Sequence, residues 1–174
     1  AFCTHYGAPL EKGVLSDGRI VCPWHHACYN VRNGDILNPP AMNALVSYEA
    51  WKDGENLKVR IPEDMPKRRL PEMARRDTEA DDRTFVIIGG GAAGYYAAQS
   101  FRENGFKGRV IMITREKRLP YDRPNLSKDY LHGKAKDEWM PLREGDFYAD
   151  HDIEILEGKE VVSLEADTGK IVLD

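Results

Sequence analysis

The rhythm of apolar and polar positions changes near residue 84. Before it, apolar residues come in short runs, such as "RIVC" at 19–22 and "NLKVRI" at 56–61, separated by Gly13, "SDG" at 16–18, "NGD" at 33–35 and "DGEN" at 53–56. Short runs between turn-forming residues predict a small all-β unit over residues 1–61. Residues 62–83, "PEDMPKRRLPEMARRDTEADDR", contain three prolines and alternating charge blocks with almost no apolar periodicity, the composition of a solvated linker. From 84 onward the pattern is that of a β-α-β unit. "TFVIIGG" reads as a buried strand, "AAGYYAAQSFRENG" as a helix closed by Gly105, and "RVIMIT" as a second continuously apolar strand, so a parallel sheet is expected over 84–174. "DIEIL", "EVVSLEA" and "KIVLD" follow as strands, with "DTG" at 167–169 turning between the last two.

Composition narrows the classes of function. Of 174 residues, 41% are hydrophobic and 31% charged, which is ordinary for a globular protein, and the net charge of -4 provides no basic footprint for nucleic acid or an anionic membrane. No apolar run approaches the roughly 20 residues of a membrane span, and the expected location is the cytoplasm, the reducing compartment that suits the cysteine usage. The three cysteines, Cys3, Cys22 and Cys28, all precede residue 29. An odd, clustered set argues for a metal site or free thiols in a reducing compartment over a disulfide framework.

Two of those cysteines come with histidines. Cys3-x-His5 lies in "CTHYGAPL" and Cys22-x-x-His25 in "VCPWHHACYN", so each of two loops supplies one thiolate and one imidazole. A tetrahedral zinc site could use such a set, but its ligands more often come as Cys-Cys and His-His pairs. Delivering one sulfur and one nitrogen from each loop suits a binuclear cluster in which two cysteines hold one iron and two histidines the other. These loops resemble the cluster-binding loops of Rieske [2Fe-2S] domains, and "NPPAMNAL" at 38–45 resembles the proline loop that covers the cluster there. The resemblance implies Cys3 and Cys22 on an inner iron and His5 and His25 on an outer one, with the first strands of the domain lying upstream of Ala1. His26 stands where the family usually has glycine. Ala8 and Trp24 replace the cysteines of an extra bracing disulfide, and Ala27 replaces a serine donor, while Tyr29 keeps the place of a tyrosine donor. Fewer donors to the cluster imply a potential toward the bottom of the roughly -150 to +300 mV Rieske span. Cys28 is expected to act as a small buried hydrophobe.

"VIIGGGAAG" carries G-x-G-x-x-G at Gly89, Gly91 and Gly94, with Ala92 and Ala93 between the last two glycines. It follows a predicted strand and opens a predicted helix, the context in which backbone N–H groups and a helix N-terminus cradle a dinucleotide pyrophosphate. Glu116, at the end of the second strand, is the candidate acceptor for ribose hydroxyls. "PYDRPNLSK" at 120–128 resembles FAD-dependent ferredoxin reductases and apoptosis-inducing-factor-like flavoproteins, members of the pyridine nucleotide-disulphide oxidoreductase type. That resemblance implies Arg123 near the pyrophosphate, Lys128 near the flavin ring, and the backbone of Val161, in a β-meander, against adenine. No cysteine follows Cys28, so thiol–disulfide exchange at the flavin is not expected. His132 and His151 lack partners at ligand spacing and are expected to be surface or packing residues.

The fold expected is therefore a small all-β Rieske domain, N-terminally truncated, followed by a Rossmann-like α/β FAD-binding domain with a β-meander, C-terminally truncated. The function expected is an NAD(P)H-dependent FAD and [2Fe-2S] oxidoreductase passing electrons from flavin to cluster and on to a protein or small-molecule acceptor. The resemblance identifies no catalytic side chain, and NAD(P)H is expected to bind in a part of the protein not present here. Two alternatives remain at this point: a redox-sensing signalling flavoprotein, and a zinc-binding scaffold. Neither the acceptor, the choice of NADH or NADPH, nor the oligomeric state is legible.

Overall fold

In the computed structural model, which describes all residues 1–174, the backbone contacts divide the chain between Pro71 and Glu72. The division falls inside the stretch expected to be a linker, and each side of it is bonded to its own unit. Arg69 pairs with Ala44 as an isolated antiparallel bridge. Ala74 N–H donates to Arg102 O and Asp77 N–H to Lys107 O.

The first unit is built on four short antiparallel strands in the order β1 (Val14–Ser16), β2 (Arg19–Val21), β3 (Cys28–Asn30), β4 (Ile36–Asn38). Asp17 and Gly18 form the two-residue loop between β1 and β2, both with positive φ, as a turn matching the twist of a tight hairpin requires. A second hairpin, β5 (Glu49–Asp53) with β6 (Asn56–Arg60), stands as a separate two-stranded ribbon. The core is small: Cys3, Ala8, Leu10, Cys22, Ala27, Tyr29 and Ala41, flanked by Ile20, Ile36 and Leu45. Two thiols thus sit where a domain of this size would ordinarily place aliphatic side chains.

The second unit holds a three-stranded parallel sheet, β7 (Thr84–Ile88), β8 (Arg109–Thr114) and β9 (Ile153–Glu157), with β8 in the middle. Its central place explains the unbroken apolar run of "RVIMIT", because residues 110–114 are buried whichever face they point to. Helix α1 (Ala92–Glu103) crosses between β7 and β8; a short helix α2 (Arg123–Leu126) follows β8, and α3 (Gly145–Asp150) leads into β9. An antiparallel hairpin, β10 (Val161–Glu165) with β11 (Lys170–Leu173), completes the unit and provides two strands of the expected meander. No helix is long and apolar enough to cross a membrane.

The buried face of α1 runs through Gly94, Tyr95, Ala98, Gln99 and Arg102, a helical stripe that is polar along much of its length. Arg102 is fully buried. Its guanidinium donates to Phe106 O at 2.7 Å and Gly108 O at 3.0 Å beyond the end of α1, and to His151 O at 2.8 Å and Asp152 O at 2.7 Å before β9. One side chain therefore ties together two loops whose carbonyls no regular ladder satisfies. Arg102→Ala would strip all four bonds and leave the Phe106 and Gly108 carbonyls buried without this partner, so it should destabilise the second unit by about 3 kcal/mol, read as a lowered urea or thermal midpoint.

Candidate metal centre and nucleotide cradle

The two cysteine–histidine loops share one backbone design. Cys3 N–H donates to Ala8 O and Cys22 N–H to Ala27 O, each at 2.8 Å, closing a loop to the residue five places on. Within each loop the residue four places on donates back to the cysteine carbonyl: Gly7 N–H to Cys3 O at 2.9 Å, and His26 N–H to Cys22 O at 3.2 Å. Gly7 and His26 are accordingly both left-handed, with φ of 76° and 61°. Left-handed backbone suits Gly7, whereas His26 adopts it with a side chain that crowds its own carbonyl.

This design sorts the predicted ligands by depth. Cys3 and Cys22 are free, buried thiols, and burial pushes the Cys3 thiol up, with Cys22 close enough to add to that rise. Such a place is poor for a bare thiolate and good for one neutralised by a metal cation. His5 is half-buried and His25 exposed, and their ring centroids lie 4.9 Å apart at 79°. The thiols are buried, His5 is half-buried with its Nδ1 inside, and His25 is exposed, an ordering by depth that suits a division of donors between two irons. The donor set and its depth fit a [2Fe-2S] cluster.

The surroundings of the thiols are hydrogen-bonded across three segments. The Tyr29 hydroxyl lies 3.1 Å from Cys3 Sγ, and it accepts from Thr4 N–H at 3.1 Å. Thr4 Oγ1, 3.0 Å from that hydroxyl, donates to Asn43 O at 2.5 Å, fastening loop one to the proline-containing loop at 39–44. Sequence reasoning placed Tyr29 here but missed Thr4 and Asn43. Their only signal was position, Thr4 between two ligands and Asn43 beside the paired prolines. Around the imidazoles stand Tyr6, stacked on His5 at 4.1 Å, and the exposed Trp24, its ring 6.5 Å from that of His25. Ala8 and Ala27 are buried, and Cys28 is buried as expected of a small hydrophobe.

At the second candidate site, the glycine turn lies between the end of β7 and the start of α1, with Gly91 as the helix N-cap. Gly94 is required sterically, because a Cβ there would lie 2.0 Å from Gly89 O. Ala92 and Ala93 are exposed on the first turn of α1, where they leave the N–H groups open to an anion. Arg123, at the start of α2, brings its guanidinium to 3.8 Å from a Cβ position built on Gly91, and it donates to Glu116 Oε1 at 2.6 Å. The predicted pyrophosphate cation and the predicted ribose acceptor thus meet beside the turn. Val161 opens β10 just after a segment tied to the end of β8, with Gly158 N–H on Glu116 O and Lys159 N–H on Thr114 O. Lys128 lies beyond α2 with its Nζ bonded to Pro124 O at 2.9 Å, and no contact joins it to the glycine turn. His132 is exposed, and His151 is half-buried with Nδ1 at 2.6 Å from Phe147 O.

Comparison with known proteins matches both halves. The family described as "Pyridine nucleotide-disulphide oxidoreductase" matches residues 83–174, and that described as "Rieske [2Fe-2S] domain" matches residues 1–49. Apoptosis-inducing factor 3 of Homo sapiens is 37% identical over 176 residues, covering 98% of this chain and 29% of that protein. The ferredoxin reductase component of chlorobenzene dioxygenase from Cupriavidus sp. (strain PS12) is 44% identical over 89 residues, covering 51% of this chain and 22% of that protein. Among solved structures, the covalent putidaredoxin reductase–putidaredoxin complex aligns with a TM-score of 0.52 and 35% identity, over 54% of this chain and 22% of that one. The chain spans less than a third of the length of these relatives.

Two substitutions probe the loops directly. His26→Gly, which makes the second loop match the first at Gly7, should raise stability by roughly 0.5–1 kcal/mol, seen as a higher urea midpoint. Gly94→Ala should instead lower the stability of the second unit by about 1–3 kcal/mol, since its Cβ can be accommodated only by moving α1 away from the end of β7.

Proposed function

The chain belongs to the pyridine nucleotide-disulphide oxidoreductase family, and from that membership we propose that it is part of an NAD(P)H-dependent electron-transfer enzyme that binds FAD at the glycine turn and a [2Fe-2S] cluster between its two cysteine–histidine loops. Electrons pass in this reading from flavin to cluster and on to a separate acceptor. The observation that carries it is the pair of buried thiols beside a half-buried and an exposed imidazole whose rings lie 4.9 Å apart, on loops of the same build. When bound, the flavin takes two electrons as hydride and releases them singly, and the cluster carries one at a time.

The side chains of this chain hold and insulate those groups. Cys3 and Cys22 would hold one iron and His5 and His25 the other, with His25 on the exposed side of the loops. Gly89, Gly91 and the first turn of α1, with Ala92 and Ala93, cradle the pyrophosphate, and Arg123 neutralises it. Glu116 would accept from the ribose hydroxyls, with Arg123 released from it to the phosphate, and the Val161 backbone would serve the adenine. Lys128 belongs to the flavin end, a role that requires its Nζ to leave Pro124 O. Residues 84–174 contain no cysteine, which favours electron transfer over the disulphide chemistry in the family's description.

The ferredoxin reductase components among the relatives support a protein acceptor. The resemblance to apoptosis-inducing factor 3 over nearly the whole chain supports a second reading, in which cofactor state controls partner binding without sustained turnover. Anaerobic reconstitution with iron and sulfide, followed by visible and electron paramagnetic resonance spectra, tests the first reading. The reduced protein should give the resonance signal of a [2Fe-2S] centre, with a midpoint toward the lower end of the roughly -150 to +300 mV Rieske range. A colourless, iron-free product, or a zinc-loaded protein with no signal, would remove the cluster from the proposal.

A further inference from the structure

Thr4, between ligand positions 3 and 5, makes three hydrogen bonds of which two meet at the Tyr29 hydroxyl. The protons there can be assigned by elimination. Asn43 O is a carbonyl and can only accept, so the Thr4 hydroxyl proton lies along the 2.5 Å bond to it. Were that proton elsewhere, two oxygens would face each other at hydrogen-bonding distance with nothing between them. Its proton committed, Thr4 Oγ1 faces the Tyr29 hydroxyl at 3.0 Å as an acceptor. Thr4 N–H also points at Tyr29, and it fills one of that oxygen's lone pairs from 3.1 Å.

Tyr29 has a single hydroxyl proton and two acceptors for it: Thr4 Oγ1 at 3.0 Å and Cys3 Sγ at 3.1 Å. A metal-bound Cys3 carries no proton of its own, so it depends on Tyr29 for this bond. A hydrogen bond to a cluster-bound sulfur stabilises the state that carries one more electron, and so raises the reduction potential. Sharing the proton with Thr4 weakens that bond.

We propose that Thr4 is a positioning residue that lowers the reduction potential of the cluster, by drawing the Tyr29 hydroxyl proton away from the Cys3 sulfur while its own proton is held by Asn43 O. The inference rests on the reading that a [2Fe-2S] cluster is bound between these loops. It has an uncommon sign: removing a hydrogen-bonding group next to the cluster makes the cluster easier to reduce.

The test uses the whole reconstituted protein, with midpoints from redox titration followed by electron paramagnetic resonance and with iron content measured for each variant. Thr4→Val, which keeps the branched shape and the backbone N–H but removes the hydroxyl, should shift the midpoint upward. Thr4→Ser, which keeps the hydroxyl, should hold the wild-type value. Tyr29→Phe should shift the midpoint down, and adding Thr4→Val to Tyr29→Phe should produce no further shift. The proposal is overturned if Thr4→Val, at wild-type iron content, leaves the midpoint unchanged or lowers it, or if its upward shift persists without the Tyr29 hydroxyl. It is equally overturned if Thr4→Val loses the cluster while Thr4→Ser retains it, since the hydroxyl would then serve to hold the loop. Failure of the cluster reading looks different: wild-type protein itself would give no signal.

Discussion

Two backbone hydrogen bonds, from Cys3 N–H to Ala8 O and from Cys22 N–H to Ala27 O, determine what the first unit can do. Each fixes a cysteine at the base of a loop whose other residues must then arch outward, so the sulfur is drawn into the core and the histidine two or three places on sits farther out, half-buried at residue 5 and exposed at residue 25. A small domain has little apolar material to bury, and here the thiols themselves supply part of the core. The chemistry and the packing are therefore not separable: a metal bound at Cys3 and Cys22 would also cross-link the centre of the fold.

The same economy governs the second unit. The glycine turn works because β7 and α1 approach so closely that no side chain fits at residue 94, and that closeness leaves the first turn of α1 open to solvent beside Arg123. Ion pairing between Arg123 and Glu116 at 2.6 Å contributes little to stability at such an exposed position, so its interest lies in location. A cation and a carboxylate meet there beside an open helix N-terminus, and under the proposed function they would offer the phosphate and the ribose of a nucleotide separate partners.

Much of this was legible in the sequence because it rests on local spacing. The cysteine–histidine pairs, the glycine turn and the strand–helix–strand rhythm are each written within a few tens of residues, and the structure brings Cys3 to Cys22, His5 to His25, and Arg123 to Glu116. What was not legible depends on contacts distant in sequence. Arg102 reads as an ordinary surface cation of "SFRENG"; only its place on a stripe with Gly94, Tyr95, Ala98 and Gln99 hints at burial, and nothing local announces the carbonyls of His151 and Asp152. The Thr4 bond to Asn43 spans 39 residues and involves a backbone carbonyl, which no residue pattern encodes.

Residue 69 carries that lesson furthest. It lies in a stretch whose prolines and mixed charges describe a solvated connection, yet Arg69 N–H and C=O both bond to Ala44, at 3.0 and 2.8 Å. Its guanidinium reaches Asn33 O at 3.1 Å and pairs with Asp35. An exposed ion pair alone would hold such a segment weakly. Two backbone bonds in register with it change the balance, because each contact made lowers the entropy still to be lost by the next. Ala44 directly follows Asn43, whose carbonyl fixes the Thr4 proton, so the loop lying across the candidate cluster site is held from both sides: inward through Thr4 and outward through Arg69. Composition predicted how this stretch would interact with water; the free backbone edge of residue 44 decided where it would lie.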